Sequence, residues 1–196
     1  MCKMASFFHR KTDGMGLEIK VWDLCGHGET QEHLKLTDKA GWFEGHYLPD
    51  GEVVCRIPDG EDKERAEEVK RRYPTFNAFL QWCFTQEINT GGSLDLRDCD
   101  LKGIKLPDSI GGWLDLGCCD LKGIKLPDSI GGSLDLSGCD LKGIKLPDSI
   151  GGRLYLRGCD LKGIKLPDSI GGSLYLSGCT NIPKKLPKVK DKIYRD

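Results

Sequence analysis

The chain has 196 residues, 38% of them hydrophobic, and a formal net charge of −1, which is room for one or two small domains. A charge this close to zero excludes a global field that would draw the chain onto nucleic acid, and no apolar run reaches the ~18 residues of a membrane span. The start, MCKMASFFHRKTD, has no apolar stretch followed by a small-residue cleavage site, so a secretory signal is not expected.

The first ninety residues read as a small α+β domain. Short strands are predicted at 17–24 (LEIKVWDL), 33–37 (HLKLT), 42–48 (WFEGHYL) and 52–57 (EVVCRI), with Asp50-Gly51 as a hairpin signal. The segment 61–72 (EDKERAEEVKRR) is a charged helix with acids early and bases late, as the helix dipole prefers. Pro74 interrupts it. Phe76, Phe79, Leu80, Cys83 and Phe84 then fall at i, i+3, i+4, i+7 and i+8, one apolar face of a second helix. That helix leads into the next domain and is expected to cap it. Cys25, His27 and Glu29, with His33 and His46, are metal-ligand types, but their spacing fits no zinc pattern. A Cys and a His two apart on a Gly-rich turn also lack the third group that orients a nucleophile pair. The cluster reads as a tight turn, and no catalytic residue, metal or cofactor is assigned.

From residue 91 a unit of 20 residues recurs four times, as in GGSLDLSGCDLKGIKLPDSI at 131–150, and a frayed copy fills 171–190. A unit this short cannot bury its own apolar face, so copies must stack into a solenoid. The apolar slots of the second copy are Leu114, Leu116, Cys119, Leu121, Ile124, Leu126 and Ile130. Leu114-Asp115-Leu116 alternates as a strand does, with Leu inward and Asp outward. Pro127-Asp128-Ser129 turns the chain, and Gly131-Gly132 is expected to supply a backbone conformation closed to other residues. One strand per copy gives a parallel sheet about 24 Å long over five coils.

Cys99, Cys119, Cys139, Cys159 and Cys179 keep the same 20-residue spacing. They read as one buried column of reduced thiols, which points to the cytoplasm. Cys118 breaks the column and is expected to be exposed. The columns Asp100/120/140/160, Lys102/122/142/162 and Lys105/125/145/165 read as a solvated surface whose charges offset one another. The tail, residues 180–196, carries six basic and two acidic residues. Its Pro183 and Pro187 are expected to bar a regular ladder, leaving 183–196 as a capping strand plus a solvated basic end.

The frame L-x-L-x-x-C-x-L resembles the leucine-rich repeat, with Cys in the slot that takes Asn or Cys. LPDSIG and LDLSGC are similar to phrases of plant-type and bacterial members. The resemblance covers 91–182, and the stretch between Ile130 and Leu134 is too short for the convex helix of the plant type. A rival resemblance reads LDLSG, CDLKG and IKLPD as pentapeptide repeats of a square β-helix. The Gly residues of SIGGS and the prolines at 107, 127, 147 and 167 depart from that pattern. The leucine-rich-like form is preferred. The expected architecture is thus a small α+β domain (1–90), a short right-handed parallel β-solenoid of about five coils (91–182) and a basic end (183–196).

Solenoids offer an extended surface, which favours a non-enzymatic protein-binding module. LKGIKLPDSIGG is identical at all four junctions, and the copies differ almost entirely on the strand and just after it. The varying columns are Ser93, Trp113, Ser133, Arg153, Ser173; then Asp95, Asp115, Asp135, Tyr155, Tyr175; then Arg97, Gly117, Ser137, Arg157, Ser177. In leucine-rich repeats this outward face is the usual ligand surface, and Trp, Tyr and Arg dominate binding hot spots. The candidate partner-binding residues are therefore Arg153, Tyr155, Arg157 and Tyr175 as an aromatic-basic half, Asp95, Asp98, Asp115 and Asp135 as an acidic half around Trp113, and Arg97. The expected partner is another protein presenting acidic or phosphate groups. Nucleic acid is a weaker candidate, and no membrane is expected. The alternative reading is an effector or inhibitor, such as phages use against host defence, acting through the N-terminal domain. A Cys/His enzyme ranks below both.

Overall fold

A computed structural model describes residues 5–12, 16–20, 43–85 and 93–195. The chain divides into two compact units, Met1–Asn89 and Thr90–Asp196.

In the first unit, β1 (Ala5–Thr12), β2 (Gly16–Lys20), β3 (Phe43–Tyr47), β4 (Val53–Ile57) and β5 (Gly60–Glu61) pair in the order β2-β1-β3-β4-β5. The Asp50-Gly51 hairpin is present. Leu48 N–H donates to Glu52 O at 2.8 Å, and Gly51 takes the φ of 91° that favours glycine. Helix α1 (Lys63–Arg72) starts at Asp62, whose carboxylate accepts from Arg65 N–H at 3.0 Å. Helix α2 (Phe76–Cys83) starts at Thr75, whose hydroxyl accepts from Ala78 N–H at 3.1 Å. Its apolar face is taken up within the unit: the Phe79 ring lies 5.3 Å from Phe7 and 5.2 Å from Tyr47.

Strand β1 lies in the segment read above only for a leader, and β5 is too short for alternation to reveal. The strand expected at 33–37 and the end of the one at 17–24 lie outside the described residues, as do Cys25, His27, Glu29 and His33. The fourth His, His9, is buried against Arg65, with Nη1 to Nδ1 at 3.1 Å. Burial, helped by the Arg65 charge, lowers its pKa to about 4. His9 is therefore a neutral structural group at neutral pH.

The second unit is a parallel β-solenoid. Each coil contributes two strands of two residues, not one. The first set is β6 (Leu94–Asp95), β8 (Leu114–Asp115), β10 (Leu134–Asp135), β12 (Leu154–Tyr155), β14 (Leu174–Tyr175) and β16 (Ile193–Tyr194). The second is β7 (Ser109–Ile110), β9 (Ser129–Ile130), β11 (Ser149–Ile150), β13 (Ser169–Ile170) and β15 (Lys188–Val189). Within each set the strands pair in parallel, one coil to the next. In the first set donation runs to the next coil, as from Leu114 N–H to Ser133 O at 2.9 Å and Leu116 N–H to Asp135 O at 2.9 Å, and along the second set it runs to the coil before, as from Lys188 N–H to Asp168 O at 3.1 Å. No helix occurs among the described residues of this unit.

The core is the Leu and Ile columns. Leu114, Leu116, Leu134, Leu136, Leu154 and Leu156 are each 0% exposed, worth roughly 1.5–3 kcal/mol apiece in transfer terms. The Cys column lies beside them. Each of four thiols donates to a carbonyl of the coil before, from Cys119 to Leu96 O (3.0 Å) through Cys179 to Leu156 O (2.9 Å). Burial pushes Cys119 and Cys159 up to about 11 and Cys139 to about 12, so these thiols stay protonated.

Two tight turns shape each of the first four coils, and the fifth keeps the first of them. One closes from Leu116 O to Cys119 N–H at 3.1 Å, and its third residue has a positive φ: Asp98, Cys118, Gly138, Gly158 or Gly178. The other closes from Leu121 O to Ile124 N–H at 3.0 Å over Gly123. Before it, the Asp120 carboxylate accepts from Lys122 N–H at 3.0 Å, and Asp100, Asp140 and Asp160 do the same for their coils. This Asp column therefore fixes turns and is more than solvated charge.

The Gly-Gly pair corrects another expectation. Its φ angles are not in the left-handed region; what it requires is space. A Cβ on Gly131 would sit 2.4 Å from Gly111 O, and one on Gly151 1.9 Å from Gly131 O.

The tail corrects a third. It does not end the ladder but forms a sixth rung. Lys188–Val189 pairs with Ser169–Ile170, and Ile193–Tyr194 with Leu174–Tyr175, one residue short of the 20-residue period. The prolines are tolerated because Pro187 precedes the first paired residue and repeats the Pro of each earlier coil, while Pro183 lies in a segment without strand pairing.

Candidate recognition surface

The strand set β6 to β16 places Asp95, Asp115, Asp135, Tyr155 and Tyr175 on one ladder, in register, and Trp113, Arg97, Asp98, Arg153 and Arg157 flank its strands. Tyr155 pairs with Asp135 and Tyr175, and Asp115 with Asp95 and Asp135. The ladder divides into two chemically distinct halves.

In the first half the carboxylates are not free. Asp95 and Asp115 lie on the outer side of the sheet, as alternation demands, yet they are 7% and 2% exposed. Both were expected to face solvent. They are covered because each carboxylate folds back on its own turn: Asp95 accepts from Arg97 N–H at 3.2 Å and Asp115 from Gly117 N–H at 2.9 Å. Asp135 accepts likewise from Ser137 N–H at 2.8 Å and is half-buried. Arg97 clamps two rungs together, with Nη2 3.0 Å from Asp95 and Nε 2.9 Å from Asp115. Burial raises the Asp115 carboxyl above its ordinary value, helped by the neighbouring charges of Asp135 and Asp95 and opposed by the Gly117 N–H and Arg97. Arg97 is held above its ordinary value by its hydrogen bond to Asp95. Asp98 is exposed, at the left-handed turn position of the same coil.

In the second half the same slot holds tyrosine, and the rings stack. Tyr155 and Tyr175 are 4.5 Å apart with planes 12° off parallel. Tyr194 extends the stack at 4.6 Å and 6°. The Arg157 guanidinium lies 4.9 Å from the Tyr175 ring and 5.6 Å from Tyr155, a cation–π arrangement. Arg153 Nη1 donates to the Tyr155 hydroxyl at 3.4 Å, and Lys192 Nζ sits 5.0 Å from the Tyr194 ring. Arg153 and Arg157 are exposed, while Tyr155 and Tyr175 are half-buried.

Trp113 is half-buried and stands in the column of Arg153, two rungs away with Ser133 between. The serines of that column have their own work. Ser93 Oγ accepts from Trp113 N–H at 3.3 Å, and Ser133 Oγ from Arg153 N–H at 2.9 Å.

Lys192 and Tyr194 are the members that sequence reading missed. Their signal was present: LP at 186–187 followed by KVKDKIY matches LPDSIGGSLY with one residue removed. Two lysines of a column away from this face are paired on the surface. Lys125 Nζ is 3.0 Å from Asp128 and 3.9 Å from Asp108, and Lys165 Nζ is 3.1 Å from Asp148 and 3.9 Å from Asp168. Cys118 is exposed, unlike the Cys column beside it. Among the described residues no group of three or more His, Cys, Asp or Glu is placed to hold a metal, and no helix is long and apolar enough to cross a membrane. The chain has no match among protein-family models, curated proteins or solved structures at the level that shows relationship.

Proposed function

We propose that the chain is a non-enzymatic recognition module that binds another protein through the outer face of the β12-β14-β16 end of its solenoid. One observation carries this reading. Four junctions are identical in sequence, so the places where copies differ stand out, and in coils four to six the differences assemble a stacked tyrosine ladder flanked by Arg153 and Arg157. Such aromatic and arginine side chains offer large contact area and bidentate donors. The resemblance to leucine-rich repeats, which bind ligands on their strand face, points the same way. The acidic half enters as the support that fixes the register of this face. A partner presenting carboxylates or phosphates and a salt-sensitive affinity follow from the cations.

The test is a pull-down from native lysate with the full chain. Replacing Arg153, Tyr155, Arg157 and Tyr175 together by Ser should leave the fold intact and weaken capture by well over tenfold, about 1.4 kcal/mol or more. The control replaces Lys102, Lys122, Lys142 and Lys162 by Ser. Loss of capture by the lysine set but not by the Tyr-Arg set would place recognition elsewhere. Retention of activity by residues 1–90 alone would favour an effector acting through the first unit.

A further inference from the structure

We infer that the sixth rung completes this surface, and that its ligand is an acidic helical segment of another protein, lying along the solenoid axis with one carboxylate per turn opposite each rung. The inference rests on the strand-face reading above and adds to it two residues, Lys192 and Tyr194, and a ligand class.

Register is the first argument. Ile193 pairs with Leu174 and Tyr194 with Tyr175, so Lys192 takes the column of Arg153 and Ser173, and Tyr194 the column of Tyr155. The cations Arg153 and Lys192 thus stand two rungs apart on either side of Ser173. Arg157 lies beside the intervening tyrosines.

Charge is the second. Residues 91–150 hold seven basic and ten acidic residues, net −3, whereas 151–196 hold ten basic and four acidic, net +6. An acidic ligand is therefore drawn to the tyrosine end and repelled from the Asp end. Asp191 acts on Arg153 from the same rung as Lys192 and tempers the field there.

Ring stacking within the ladder counts against stacked bases at its centre. Both faces of the Tyr175 ring are occupied, by Tyr155 and by Tyr194. Nucleic-acid platforms need open ring faces, and these rings turn their edges and hydroxyls outward. Tyr155 already accepts from Arg153, so its O–H remains to donate. Phenol and guanidinium donors together suit carboxylates.

Spacing selects the helix. Successive rungs repeat at about 4.8 Å, and a helix brings side chains back to one face at about 5.4 Å per turn. An extended peptide repeats its face at about 6.8 Å. Across the three rungs the helix drifts by roughly 1.2 Å and the extended chain by roughly 4 Å.

Fluorescence anisotropy on the full chain tests this with three labelled probes. One is an Ala-rich helical peptide with Glu at i, i+4 and i+7. The second carries the same number of glutamates but is held extended by prolines. The third is an oligothymidylate of equal charge. The helical probe should bind at least tenfold tighter than either other probe and weaken as salt rises. Lys192→Ser with Tyr194→Ser should cost about tenfold in that affinity while the solenoid still unfolds cooperatively, its midpoint lowered only by the lost ring stacking, and Lys192→Arg should retain the affinity. Equal or tighter binding of the extended peptide or the oligonucleotide overturns the inference, as does undiminished binding by the Ser pair. If the helical probe fails while the Arg153/Tyr155/Arg157/Tyr175 variant still loses its lysate partner, the ligand class is wrong and the strand-face reading stands. If that variant also keeps its partner, both fall.

Discussion

Coils one to three and coils four and five share a backbone, a Leu core and a Cys column, and they differ in one outward slot. Where that slot holds Asp95 or Asp115, the side chain closes its own turn and binds Arg97, and it is buried. Where it holds Tyr155 or Tyr175, the side chain stacks on the next rung and keeps its edge outward. One position thus serves the fold in one half and the surface in the other. Residue type alone, acidic against aromatic, does not say which; hydrogen bonding to the turn does.

The comparison is broken most directly through the core that both halves are said to share. Leu116→Ala and Leu156→Ala should each cost roughly 2–5 kcal/mol in urea unfolding, and by similar amounts. Ser137→Ala should cost almost nothing. A much smaller loss at Leu156 would mean that the tyrosine half rests on a different core. The Gly pair gives a second test of sameness. Gly131→Ala and Gly151→Ala each force a methyl onto a carbonyl of the coil below, and each should cost on the order of 1–3 kcal/mol.

The array and its stacking were legible because a 20-residue period admits few other solutions, and the Leu alternation named the inward side chains. Three things were not legible. The burial of Asp95 and Asp115 depends on a carboxylate reaching the N–H two residues on, which alternation does not report. The Gly pair looks like a conformational device in a sequence and is a packing device in space. The sixth rung was hidden by a one-residue deletion that put Tyr194 out of step with Tyr175. In the first unit, Phe76, Phe79, Leu80 and Cys83 gave their helix away by periodicity, whereas β5 has too few residues to show any.

The next tests separate the halves. Asp115→Ala removes the acceptor of a buried N–H and a partner of Arg97, and should destabilise by about 1–3 kcal/mol with little change in partner affinity. Tyr155→Ala removes stacking and should cost about 0.5–1.5 kcal/mol in stability but a larger share of the affinity. The reverse ranking in affinity would exchange the roles assigned to the two halves.

Acid separates them more finely. Because burial raises the Asp115 pKa, the folded chain holds that proton more tightly than the unfolded chain. The stability so contributed is full below the unfolded value of 3.8 and is lost as pH rises through the folded titration. Asp115→Asn keeps an oxygen for the Gly117 N–H and does not titrate. Unfolding free energies measured from about pH 3 to about pH 6 should shift in favour of the Asn variant as pH rises. A difference flat with pH removes the buried carboxylate from the account. The smallest effect is chemical: a thiol reagent on the native chain should label exposed Cys118 well before Cys119, Cys139 or Cys159, and uniform labelling would reject the buried column.

The identity of LKGIKLPDSIGG at four junctions also bears on how the chain finds its fold. A segment leaving its second coil meets near-equal partners in the third and the fourth, so skipping a coil would forfeit little of the Leu core. Such near-degenerate arrangements are what trap repeat chains. The contacts that tell one rung from another are those between unlike copies: Arg97 gripping Asp95 and Asp115, and tyrosine meeting tyrosine at 155, 175 and 194. The face offered to a partner is then also the set of address labels by which each coil finds its place in the stack.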